Sequence, residues 1–177
     1  MTEQSALTDI SGRFWRIVRA GHADQVLDPP GPDSAGRYHR PGEAVLYMSP
    51  ELDWARIAVA TYMRADGVAR VAVPLDLDRA RVVDQRDENA CRAFRIDPAA
   101  SAQSWQAALK QGEHPPSWRN AALARAAGAD GIIDPSRSIP RGWHFDLFRW
   151  NQPGAPNLSI AGEPIPVDLA GLDWVHK

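Results

Sequence analysis

The run RFWRIV, residues 13–18, mixes aromatic and β-branched residues with arginine, and that pattern predicts a strand. Alternation places Phe14, Arg16 and Val18 on one face and Trp15 and Ile17 on the other. LDPPGPDSAG follows as a loop, because its prolines forbid a regular ladder. AVLYMS, residues 44–49, predicts a second short strand. Beyond it, SPELDWARIAVATYMRADG reads as a helix, with Ser49 as its cap, Pro50 in the first turn and Gly67 at its end. Its apolar stripe is Leu52, Ala55, Val59 and Tyr62. ARVAVPLDL predicts a strand with Val71, Val73 and Leu75 on one face. Two further helices are expected over SAQSWQAALKQG, capped by Ser101 and stopped by Gly112, and over SWRNAALARAAG, capped by Ser117 and ended by Gly128. DGIID is a brief buried strand, and GWHFDLFRW alternates bulky groups as a sheet strand does. Beyond Asn151 the chain is rich in Pro and Gly and is expected to wrap the surface, with one short strand near Ile165. Strands and helices interleave irregularly, so the class is α+β rather than doubly wound.

Composition narrows the function without choosing it. The 177 residues fit one domain with a real core. A formal net charge of −2 argues against direct nucleic-acid binding, which draws on a basic excess. No stretch approaches the roughly 20 apolar residues of a membrane span. MTEQSALTDISGR lacks the basic and apolar regions of a secretory signal. Cys91 stands alone, which fits a reducing cytoplasm, and reads as a small buried apolar residue. The histidines (His22, His39, His114, His144 and His176) show no ligand spacing, so no metal site is expected.

The chemistry on offer is cationic. SAGRYHRPGEAVLYMS brings Arg37 and Arg40 to the mouth of a strand, and Arg16 lies within one. On a turn, arginines are ordinarily solvated charges. Arg16 on a face shared with Phe14 and Val18 needs an anionic partner or a water-filled cleft. Were Arg16 and Arg37 to converge, their planar forks would suit a pyrophosphate, without any P-loop or G-x-G-x-x-G turn. Ser136, in IIDPSRSIPRG, either points a hydroxyl into a cleft or simply shapes a turn.

In order, RFWRIVR, AGRYHRPGEAVLYMS and GADGIIDPSRSIPRGWHFDLFRW resemble motifs of the RES domain family, the toxins of RES–Xre toxin–antitoxin pairs. PPSWRNAALARAAG is similar to the segment that precedes the last motif in one branch of that family. The resemblance implies residues 1–12 as a flexible N-terminus, 13–151 as a RES-like domain and 152–177 as an extension packed on it. It further implies a compact ADP-ribosyltransferase-like α+β domain with short-stranded mixed sheets and flanking helices. NAD would be the substrate, its nicotinamide–ribose bond broken by hydrolysis, phosphorolysis or ADP-ribosyl transfer. Matched position by position, Arg16, Arg37, Tyr47 and Ser136 are the implied catalytic residues, with Tyr38 added to the NAD-binding set. The arginines would hold the pyrophosphate and Tyr47 would stack near the nicotinamide. The implied partner is an Xre-type helix-turn-helix antitoxin; a homo-oligomer is left open. One position departs from the family: Ala58 falls where its glutamate is expected, with Glu51 and Asp53 too early on the helix. The alternatives are therefore a weakened or inactive RES domain that binds a nucleotide or protein, or a purely structural interaction domain.

Overall fold

Two long strands organise the sheet in the computed structural model, which describes residues 6–172. β1 (Thr8–Arg19) lies antiparallel to β3 (Arg70–Asp84) along nearly its whole length. The strand thus starts ahead of Arg13, and a register shift between Ile10 and Gly12 sets two steps of β1 against three of β3. Gly12 takes φ 116° there, a conformation open to glycine. The remaining strands are β2 (Leu46–Met48), β4 (Gly131–Pro135), β5 (Trp143–Leu147), β6 (Leu158–Ile160) and β7 (Ile165–Pro166). The sheet order is β1-β3-β4-β5-β2, with β6 and β7 also paired to β3. Only β3–β4 is parallel among these pairs. A backbone bridge between Trp15 and Ser49 then ties β1 to the end of β2, so the sheet curls towards closure. This is a mixed α+β domain, one sheet with flanking helices.

Strand alternation sorts the sheet's apolar side chains into two clusters. Leu46, Met48, Ile133, Phe145 and Leu147 join Phe14, Val73 and Leu75 in the larger apolar cluster. Val83 and Ile132 pack instead with Cys91, Phe94, Ala121 and Ala124. Those helical residues come from α2 (Glu88–Phe94) and α5 (Ser117–Ala126). The face that carries Ile132 also carries Tyr47, Asp134, His144 and Asp146, because directly paired residues point the same way. Helices cover only part of that face. What they leave uncovered is the site.

Several element boundaries differ from expectation for local reasons. α1 (Leu52–Asp66) ends on Gly67 at φ 64°, but its N-cap is Glu51 and no side chain caps it. Ser49 is instead held by Trp15 and His144. The buried residues of α1 are Ala55, Ile57 and Ala60, while Tyr62 is exposed, so most of the predicted stripe does not face the core. The helix expected from Ser101 is two: α3 (Pro98–Ala102) and α4 (Trp105–Lys110). Asp97 followed by Pro98 makes the stronger start, and Ser104 caps the second piece. Ser117 is the first residue of α5 rather than its cap, and its hydroxyl donates to the Arg37 carbonyl. Past Asn151, β6 and β7 add to the sheet edge of β3. His176 lies outside the described residues.

Candidate active site

A cleft of about 560 Å³ opens on the uncovered face. Its walls come from β1 (Arg16), the 34–39 loop, β2, α1, α4 and the β4–β5 turn. Arg16, Arg37, Tyr38, Tyr47 and Ser136, scattered along the sequence, all line it. Ala58 does too, from an exposed position on α1 beside Ala55, Val59 and Tyr62. That spacing is one helical face, so three residues of the apolar stripe read from the sequence, Ala55, Val59 and Tyr62, front the cleft, and Leu52 does not. Glu51 and Asp53 are not among its walls; Asp53 pairs with Arg56 at 2.8 Å.

The loop that carries Arg37 is held tightly. Gly36 backs onto the His39–Tyr47 pair, and a Cβ there would fall 2.5 Å from His39 Cε1 and 2.7 Å from the Tyr47 hydroxyl. Trp118 Nε1 donates to the Gly36 carbonyl at 2.8 Å. Arg37 Nη1 donates to the carbonyls of Ser101 and Gln103, at the end of α3. Burial pulls the Arg37 guanidinium below its ordinary value, and Arg137 nearby adds to that. Tyr38 lies wholly inside, its hydroxyl accepting from Gln85 Nε2 at 3.0 Å, which places its ring in the floor rather than at a free surface.

Tyr47 accepts the Tyr38 N–H at 3.1 Å and sits 2.8 Å from His39 Nδ1. Burial raises the Tyr47 hydroxyl far above the ordinary tyrosine value, with Asp146 pushing the same way. The phenol therefore stays neutral. His39 is also neutral, pushed down to about 4 by desolvation and by Arg125. Ser136 Oγ accepts from the Ser138 and Ile139 N–H groups at 3.3 and 3.2 Å. It shapes its turn and lines the cleft at once, so the two readings of this serine are compatible.

Arg16 is the exception in this well-bonded site. Its Nε is buried without a hydrogen-bond partner among the described residues. Desolvation pushes its guanidinium down to about 10. Buried donors are almost always satisfied, so an orphan beside a cleft is an anomaly that asks for a functional account.

Asp134, Arg137, His144 and Asp146 also line the cleft and were not singled out from the sequence. Asp134 receives two bonds from Arg137, at 2.7 and 3.1 Å. Asp146 lies deep between β2 and β4, and burial, reinforced by Asp134, holds its carboxyl well above the carboxylate range. His144 Nδ1 is 2.8 Å from Ser49 Oγ. A signal for these residues was present: WHFDL alternates, putting His144 and Asp146 on the face opposite Trp143, Phe145 and Leu147.

Fold and site together define a class, a single α+β domain whose sheet face opens into a guanidinium-lined cleft. The sequence matches the RES domain over residues 13–170, and the chain belongs to that family. Among solved structures it is similar to a chain in the crystal structure of the M. tuberculosis MbcT–MbcA toxin–antitoxin complex. The TM-score is 0.61 at 13% identity, covering 91% of this chain and 86% of that one. A comparison with curated protein sequences gives no match. Among the described residues, no helix is long and apolar enough to cross a membrane.

Proposed function

We propose that the cleft binds NAD and breaks its nicotinamide–ribose bond, and that the protein acts as a RES-type toxin. The observation that carries this reading is Arg16, whose buried Nε has no hydrogen-bond partner among the described residues and which lines the same cleft as Arg37 and Arg137. Three guanidinium groups share the cleft with one ion-paired carboxylate, Asp134, and one carboxyl, Asp146, whose charged form burial disfavours. That balance favours a dianionic ligand such as a pyrophosphate. Tyr47, neutral and held by two hydrogen bonds, offers a ring against which nicotinamide can stack. Incubation of the purified protein with NAD tests the reading directly. Free nicotinamide is expected to accumulate, and its absence at NAD concentrations that saturate binding would overturn the reaction.

Ala58 in the cleft wall favours a second reading, a nucleotide-binding RES domain with weakened chemistry. Calorimetric titration separates the two, because this reading predicts that NAD and ADP-ribose bind while no nicotinamide is released. The partner in either case would be an antitoxin, as in the complex that contains the structural neighbour. We assign it to the Xre-type helix-turn-helix class on the family resemblance. Co-expression of such a partner is expected to relieve growth arrest caused by this chain.

A further inference from the structure

Ser49 and His144 form a pair that the reading above does not use. Ser49 Oγ lies 2.8 Å from His144 Nδ1, and both side chains are in the cleft wall. Ser49 is fixed from both sides: its N–H and C=O bond the C=O and N–H of Trp15 at 2.9 and 2.7 Å. It is buried and does not cap α1; His144 is the hydrogen-bond partner of its hydroxyl among the described residues. His144 is set in β5 opposite Asp134 and is kept below the ordinary imidazole value by burial. Asp134 from β4 opposes that shift and Arg137 from the following turn assists it, while Asp146 lies two residues along the same face. The ring is therefore neutral at physiological pH, orientated, and reachable from the cleft. Those are the requirements of a general base.

We propose that His144 is a catalytic residue, the base that takes the proton from the acceptor, with Ser49 as its positioning residue. The role requires the tautomer in which Nδ1–H donates to Ser49 Oγ, which leaves the Nε2 lone pair to take the acceptor's proton. For water as acceptor, its oxygen bonds to the anomeric carbon of the nicotinamide ribose. The carbon–nitrogen bond breaks and its electron pair leaves on the pyridine nitrogen, which loses its positive charge. The water proton passes to Nε2, giving ADP-ribose, neutral nicotinamide and an imidazolium that then releases its proton to solvent. This step rests on NAD being the substrate. It concerns a proton that neither the arginines nor the neutral Tyr47 can accept.

The test compares wild type with His144→Asn, Ser49→Ala and Ser49→Thr, measuring NAD affinity by calorimetry and nicotinamide release across pH. Wild-type turnover is expected to fall on the acid side, with its midpoint below about 6.5, the unperturbed imidazole value. His144→Asn should lose about 10²-fold or more in kcat, and the acidic limb with it, while NAD affinity stays within about twofold. Ser49→Ala should lower kcat and displace the limb, and Ser49→Thr, which keeps the hydroxyl, should restore both. An acidic limb that survives in a folded, NAD-binding His144→Asn protein overturns the inference and leaves the NAD reading intact. Wild type that releases no nicotinamide overturns the NAD reading, and this inference falls with it. Should His144→Asn fail to fold, Ser49→Ala decides alone: an unmoved limb and unchanged kcat overturn the positioning role and the base it serves.

Discussion

At the residue scale, Arg16 shows how much one side chain can disclose. Its position between Phe14 and Val18 is legible in the sequence as an anomaly, a cation on an apolar face. The structure resolves the anomaly, since Arg16 reaches a cleft wall, yet its Nε stays unbonded there. An unsatisfied buried polar group costs about 1–3 kcal/mol, more when charged. Methionine has similar length and no such requirement. Arg16→Met should therefore stabilise the fold by roughly 1–3 kcal/mol in denaturant unfolding while abolishing measurable binding of NAD and ADP-ribose. A variant that loses both stability and binding would mean that Arg16 is structural. Arg37 cannot give so clean a separation, because the same guanidinium holds the Ser101 and Gln103 carbonyls. That double duty was invisible in the sequence, where Arg37 is simply a charge on a loop.

At the element scale, the strands that sequence reading found best are those with clean alternation, such as RFWRIV and WHFDL. What it missed were short helices set by tertiary contacts: α2 and α3 each start at an aspartate that caps the next turn, and α3 is buttressed by Asn120 of α5 bonding Ser101. Local pattern carries no trace of such a partner. It does carry His144 and Asp146, but an aspartate in a strand is ambiguous until the neighbouring strands are known. Here Asp146 pairs between β2 and β4 and is buried at the base of the cleft. Its raised pKa has a thermodynamic consequence. The unfolded carboxyl loses its proton near about 3.9 while the folded one retains it, so the folded state binds more protons above that pH and stability falls as pH rises. Asp146→Asn removes this dependence. The variant should equal wild type or fall below it near pH 3.5, and gain on it steadily as pH rises from about 4 until the native carboxyl itself titrates. A difference between the two proteins that stays constant across that range would mean Asp146 is ionised and paired in the native protein.

At the scale of the whole molecule, the cleft exists only because the sheet curls until β1 and β2 meet at Trp15 and Ser49. The sequence names residues for such a cleft but cannot close it, since closure depends on pairings between segments as distant as Leu46–Met48 and Trp143–Leu147. Closure also decides what the alanine on α1 means. In sequence, a carboxylate at position 58 risks burial in an apolar core, where it would be neutralised or would unfold the chain. In the folded protein Ala58 is exposed and borders the cleft that holds Arg16, Arg37 and Arg137. Glu is nearly as good a helix former as Ala, and a solvated position changes stability by no more than about 0.5 kcal/mol. Ala58→Glu should therefore melt within a few degrees of wild type. If the cleft cleaves NAD through a transition state with positive charge on the ribose, the new carboxylate should raise nicotinamide release. Electrostatic groups of this kind contribute about 10²–10³ in rate when well placed, and an engineered one should supply part of that. Melting temperature and NAD turnover on the same preparation decide the matter. Unchanged melting with unchanged turnover would mean that the reacting ribose does not lie near α1, and that the glutamate expected from the family resemblance has no counterpart site here.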